Sequence, residues 1–332
     1  MPKRRNPRHG SMQFWPRKRA SRVIPRVRSW KLNSEPNLSG FVGFKVGMCH
    51  VMAKDTLKSS LTKGDTISVP ATILECPPMR IAAARVYQED EFGNNKVANC
   101  IVLSSDKIIK RKGFKPINKD SISSNLKKLQ QIASDSLLHV KEIRLIVFSN
   151  FGKGFLSRKA PVFIEVPVAK DVESAISFIS DNLDKDLRVS DVFSEGSYVD
   201  VHGVTKGKGV TGPVKRFGIS IRAKKSEKTK RGPGSLGPWT GEGPVMYRVA
   251  HAGQMGFFQR VDYNKYILKI DSDVNKINKK SGFHRYGVIK HDYLLVKGSV
   301  QGPAKRPVVI SLPIRLHPTK ETFKVEVKEI IV

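Results

Sequence analysis

The sequence predicts a mainly β protein: a small closed β-barrel, interrupted by an inserted α+β domain and carrying two long basic extensions. Three observations predict it. Charge is segregated, with eleven Lys or Arg and no acid in residues 1–31, and ten against one acid, Glu227, in 205–231. Short strand-like runs broken by Gly and Pro lie on both sides of the middle of the chain, with no helical period, as in small barrels. The middle itself, 86–197, is near neutral, with 17 basic and 15 acidic residues, and alone shows helical periodicity.

The basic N-terminal extension spans 1–35. It mixes arginines and lysines with the isolated aromatics Phe14, Trp15 and Trp30. Cationic side chains neutralise phosphates and aromatics stack on unpaired bases. The expected RNA contacts here are Arg4, Arg5, Arg8, Trp15, Arg17, Lys18, Arg19 and Arg22. The barrel follows in 36–80, resumes in 196–218 and ends in 262–332. Its first strands are expected in 40–52, with Phe44, Val46 and Met48 on one side, and in 67–76.

The α+β insertion is expected in 81–195. Residues 98–105 and 142–150 read as buried strands, and 161–168 alternates. Ile122, Leu126, Leu129 and Ala133 share one helical face in 121–134. Val172, Ala175, Ile176, Ile179 and Leu183 do so in 171–187, where Asp171 and Glu173 favour the helix start.

"GVTKGKG" at 203–209 lacks the Gly-Lys-Ser/Thr order and the helix entry of a nucleotide-triphosphate loop. It reads instead as a turn whose amides approach phosphate, with Lys206, Lys208, Lys215 and Arg216 as contacts. The central finger loop spans 219–261. It carries Arg222, Lys224, Lys225, Lys228, Lys230 and Arg231, then "RGPGSLGPWTGEGP", with five glycines, three prolines and Trp239. Ordering such a segment costs about 1–2 kcal/mol per residue in backbone entropy. With no apolar face, it is expected to order only inside RNA, with Trp239 stacking or wedging at the tip. Gln254, Gln259 and Arg260 in "AGQMGFFQR", and Lys297, Lys305 and Arg306 in "KGSVQGPAKRPVVI", fit close packing against RNA backbone. Further strands are expected in 286–300, 306–314 and 322–332.

A formal charge of +31 points to a polyanionic partner. No helix-turn-helix, zinc finger or basic zipper is present, which favours RNA over DNA. A DNA-compacting protein is the alternative, separable by comparing folded RNA with duplex DNA at equal salt. The eight histidines show no HExxH and no triad spacing, so they read as surface or RNA-contacting residues. No catalytic residue, metal site or cofactor is expected. Cys49, Cys76 and Cys100 form no CxxC pair and read as buried thiols in a reducing compartment. The N-terminus has no apolar signal region and no apolar run suits a membrane, so a cytoplasmic protein is expected.

Four motifs occur in order: "VDVHGVTKGKGVTGPVKRFGI" (199–219), "RGPGSLGPW" (231–239), "AGQMGFFQR" (252–260) and "KGSVQGPAKRPVV" (297–309), preceded by "RRNPRHGSMQFWPRKRASR" (4–22). With these, the chain resembles the universal large-subunit ribosomal protein three (L-three) family in its archaeal or eukaryotic form, over essentially its full length. The resemblance implies a non-enzymatic structural protein that binds large-subunit (23S-type) ribosomal RNA early in assembly. It implies a barrel of the translation-protein type and a finger pointing toward the peptidyl transferase centre, with Trp239 at or near its tip. It also implies a monomer within the ribosome, beside large-subunit proteins fourteen and twenty-four (the eukaryote-type one). Gln301 stands where this family commonly has Pro.

Overall fold

A computed structural model describes residues 9–32, 35–56, 60–118, 120–134, 140–152, 155–157, 160–226, 228–237, 243, 245–316 and 325–332. The chain begins with β1 (Gly40–Lys54) and β2 (Thr66–Glu75). It continues through β3 (Met79–Glu89), β4 (Asn95–Val102), α1 (Asp120–Ser134), β5 (Val140–Ser149), β6 (Phe163–Pro167), α2 (Val172–Asn182) and α3 (Val189–Val192). Then come β7 (Tyr198–Val204), β8 (Gly207–Thr211), α4 (Pro213–Phe217), β9 (Gly253–Gly256) and β10 (Gln259–Asp271). It ends with β11 (Tyr293–Lys297), β12 (Pro307–Ser311) and β13 (Glu326–Ile331). Two compact units result, one of Met1–Val23 with Val204–Arg260, the other of Ile24–Gly203 with Val261–Val332.

In the second unit, strands pair in the order β12-β7-β10-β11-β2-β1-β13, and β12 also pairs with β1, so six strands form a closed cycle of pairing. Strand β1 makes this possible by its length. Its first residues pair with β12 (Gly40↔Ser311 to Phe44↔Pro307) and its last with β13 (His50↔Ile331 to Lys54↔Glu326). Strand β2 runs along its other edge. A register shift between Lys45 and Gly47 resets which side chains face inward. Phe44, Val46, Cys49 and Val51 are therefore buried, whereas Met48, expected beside Phe44 and Val46, is exposed.

The near-neutral middle forms a four-stranded sheet, β4-β3-β5-β6. Strand β3, central in it, is absent from the sequence expectation. It begins at Met79, two residues before the expected domain start, and its alanines are weak strand formers. Tertiary packing compensates, since Ala82 and Ala83 are buried against Ile109, Ile146 and Phe148. Strand β4, expected to be buried, is an exposed sheet edge. Cys100 on it is exposed, unlike the expected buried thiol. Cys49 and Cys76 are buried, and burial pushes the Cys49 thiol up to about 11. Helix α2 stops short of residue 187, because Leu183 leaves helical geometry and Asp184 takes φ 58°.

This sheet shares one continuous core with the strand cycle, and an aromatic cluster lies within it. Buried Phe44 meets Phe151 edge-on at 6.2 Å and Phe155 at 5.1 Å. Ser39 N donates to Pro167 O at 3.1 Å alongside.

Several polar and aromatic residues serve the core instead of the surface. Trp30, expected as a base-stacking aromatic, lies over Gly40, where a Cβ would come within 2.5 Å of its ring. Residues 286–289, expected in a strand, form a loop around the buried Glu75 carboxylate. That carboxylate accepts from the Lys290 and His291 amides at 2.9 and 3.0 Å and from the Tyr286 hydroxyl, and its Oε1 lies 2.9 Å from His291 Nδ1. Gln301 donates to Val201 O at 2.8 Å, an anchor that proline cannot supply.

His202 is also internal, not a surface group. It is buried on β7, with Nε2 3.0 Å from Ser311 Oγ on β12. Burial holds its pKa below the ordinary 6.5, partly opposed by Asp200. The unfolded chain therefore takes up this proton at a higher pH than the folded one. The stability from neutral His202 is present above about pH 6.5 and lost as pH falls through the folded value. We expect the urea midpoint to drop from pH 7.5 to 5 by more in the parent than in His202→Gln. Equal drops would show that His202 carries no such linkage.

Candidate nucleic-acid interface

The first unit holds eight Lys or Arg in 1–23 and twelve in 204–260. Its two acids, Glu227 and Glu242, lie outside the described residues, so no carboxylate stands among those that are described. Also outside them lie the expected contacts Arg4, Arg5 and Arg8 and the expected finger-tip residue Trp239.

The framework is a two-stranded sheet, β8 with β9, bracketed by α4. "GVTKGKG" thus supplies the end of β7 and the start of a second strand instead of a free turn. Pairing Gly207 with Gly256 requires close backbone approach. Gly256 takes φ 71°, and a Cβ there would lie 2.0 Å from Lys206 O. Helix α4 starts with Pro213 and ends at Gly218 in the left-handed conformation (φ 68°), a strong local stop signal.

Three expected RNA contacts converge on this framework. Arg17 Nη1 donates to Arg216 O at 2.9 Å, and its guanidinium lies 4.4 Å from the centre of the Phe217 ring. Arg216 donates through Nε to Gln254 O at 3.0 Å and through Nη1 to His251 O at 3.1 Å. Arg260 sits over Phe14 at 4.8 Å and Phe258 at 5.1 Å. Partial burial and the nearby Arg17 charge hold both Arg216 and Arg260 below the usual guanidinium range. Like charges gathered with no carboxylate among the described residues of the unit make a standing attraction for anions.

These arginines and their aromatics also build the unit. Phe217 is buried, and Trp15, expected to contact RNA, packs against it at 6.0 Å and against Tyr247 at 5.8 Å. Among the described residues of this unit, the aromatics left open are Phe14 and Tyr247, 55% and 72% exposed. Tyr247 escaped sequence reasoning, although it sits between the Gly/Pro-rich stretch and Arg248 as an aromatic beside a cation.

Lys18, Arg19, Arg22, Lys206, Lys208 and Lys215 are exposed. So are Arg222, Lys224, Lys225, Lys228, Lys230, Arg231 and Gln259. Residues 219–252, where described, form no helix or strand. Arg222 ties that segment to itself, through its amide to Lys230 O at 3.0 Å and its guanidinium to Gly234 O at 3.4 Å. Gln254 is half-buried and donates to Gly256 O at 3.0 Å, so it shapes the strand end. In the second unit, Lys297 and Lys305 are exposed and Arg306 is half-buried.

A family model described as ribosomal protein L3 matches residues 1–330. A large ribosomal subunit protein uL3 from Methanothermobacter thermautotrophicus is 40% identical over 320 residues, covering 95% of this chain and 94% of that protein. Its counterpart from Methanococcoides burtonii is 41% identical over 321 residues, covering 95% and 94%. That from Archaeoglobus fulgidus is 38% identical over 320 residues, covering 96% and 94%.

Proposed function

The chain belongs to the ribosomal protein L3 family, and from that premise we infer that its two basic segments, 1–35 and 219–261, are ordered by large-subunit (23S-type) ribosomal RNA. It is a cytoplasmic structural protein of the large ribosomal subunit that binds ribosomal RNA, and it is not an enzyme.

The observation that carries the inference is the first unit's charge, twenty cations to two acids, on a unit whose described residues form only β8, α4, β9 and the ends of β7 and β10. Confining that charge in one place is unfavourable until phosphates compensate it. Exposed Lys206, Lys208 and Lys215 act as point charges on backbone phosphates. Phe14 and Tyr247 offer faces to unpaired bases. Arg17, Arg216 and Arg260 hold the framework and present a shared positive field.

On this reading, the strand cycle of 36–80, 196–218 and 262–332 is a barrel of the translation-protein type, and 81–195 is its inserted domain. The 219–261 loop is a finger aimed at the peptidyl transferase centre with Trp239 near its tip. Early binding nucleates subunit assembly. The protein sits as a monomer beside large-subunit proteins fourteen and eukaryote-type twenty-four.

Salt dependence tests the interface. For about ten phosphate contacts, log K should fall with log salt at a slope of about −7 to −9. Changing Lys206, Lys208 and Lys215 together to Gln should flatten it by about 2 to 3. An unchanged slope would show that these lysines face away from RNA.

A further inference from the structure

We propose that Tyr263 and Arg315, in the second unit, form a separate stacking site for an unpaired nucleotide. The proposal rests on the RNA-binding reading above but uses none of its contacts. The Arg315 guanidinium lies over the Tyr263 ring, 4.8 Å from its centre. Both residues are exposed, Tyr263 by 42%. An exposed tyrosine beside a guanidinium offers a base a π surface and its phosphate a cation.

The pair is held by a buried device. Asp200 on β7 is fully buried, and both carboxylate oxygens are engaged. Oδ1 accepts from the Asn264 amide at 2.8 Å and Oδ2 from the Ile314 amide at 3.0 Å. Each amide belongs to the residue adjoining one member of the pair. Asn264 closes the arrangement by donating from Nδ2 to Arg315 O at 3.0 Å. Its φ of 55° interrupts the regular alternation of β10 beside Tyr263. Burying a carboxylate costs several kcal/mol unless hydrogen bonds compensate. Here that compensation comes from the backbone of the two segments that present Tyr263 and Arg315. The pair is therefore fixed before any ligand arrives, which limits the entropy lost on binding.

The electrostatics favour nucleic acid over an acidic or apolar protein surface. The Asp200 charge is satisfied internally. Asp262, which precedes Tyr263 in the chain, is half-buried and 4.0 Å from Lys265 Nζ. Arg315 thus presents its charge outward on a chain of net +31.

The test uses the full chain bound to large-subunit ribosomal RNA and irradiated at 254 nm. We expect a nucleotide adduct on the tryptic peptide 261–265. Tyr263→Ala should weaken RNA binding about 5- to 150-fold, the equivalent of one lost stacked base. Arg315→Ala should flatten the salt slope by about one. Arg315→Lys should keep both the slope and the adduct, because an ammonium retains the charge that meets the phosphate while Tyr263 still stacks the base. Absence of an adduct on 261–265, with unchanged affinity in Tyr263→Ala, overturns the proposal. If Arg17 and Arg260 variants still weaken binding in that case, the reading of the first unit stands; if they too are silent, that reading fails as well. Loss of a neighbouring protein from Tyr263→Ala subunits, at unchanged RNA affinity, would make the pair a protein contact and likewise overturn the proposal.

Discussion

Phe44→Ala should lower the unfolding free energy by about 3–5 kcal/mol, the usual cost of removing a fully buried phenylalanine. Phe44 is completely inaccessible, and two other rings, Phe151 and Phe155, pack edge-on against it. Each such ring pair adds about 0.5–1.5 kcal/mol beyond area burial, so the upper part of the range is expected. The substitution also reports on cooperativity. Phe44 belongs to the strand cycle, whereas Phe151 and Phe155 lie between β5 and β6 of the four-stranded sheet. If the two sheets unfold together, one denaturant transition should shift intact to a lower midpoint. A transition that splits in two would show that the sheets are separate folding units joined at this cluster. Phe44→Leu, which retains most of the apolar volume, should recover the larger share of the loss.

Gly256→Ala should abolish the β8–β9 pairing and weaken ribosomal RNA binding by about tenfold or more. Two costs act together. Left-handed backbone (φ 71°) penalises an L side chain by roughly 1–2 kcal/mol. A Cβ would also lie 2.0 Å from Lys206 O, a backbone atom that cannot swing aside. Relief requires the strands to part, which moves Lys206 and the Phe257 amide that donates to Lys206 O at 3.2 Å. Gly253→Ala is the matched control. The atoms nearest its Cβ would be those of the Arg216 guanidinium, at 2.9 Å, and a side-chain end can move. Hydrogen exchange at Val210 and Gln254, partners across the pair, is the readout. Fast exchange in Gly256→Ala with slow exchange in Gly253→Ala is expected. Slow exchange and parental affinity in both would mean that the close approach is dispensable.

Legibility in the sequence followed the range of the interactions concerned. The helices α1 and α2 were readable because their apolar positions repeat within a few residues, and Ile122, Leu129, Ala175 and Ile179 are indeed buried. Strands β1, β2, β5, β6 and β12 were readable from alternation or apolar runs. Strand β3 was not, since its alanines become strand only through what packs on them. Strand β10 was missed because "QRVDYNKYILKID" mixes charges through its length, and only its centre, Tyr266 to Leu268, is buried.

The sequence by itself determined the segregation of charge, the ordered family motifs and the class of partner. These are properties of composition and local order, and folding does not alter them. Only the tertiary structure decided which cations and aromatics remain free to meet RNA. Arg17 meets Arg216 across 199 residues, and Phe217 is buried by that meeting, so neither fate is written in a local pattern. The same holds for Tyr263 and Arg315, brought together by one buried carboxylate on a third strand. A side chain's identity sets what it can bind, but its exposure is set by distant segments competing for the same space.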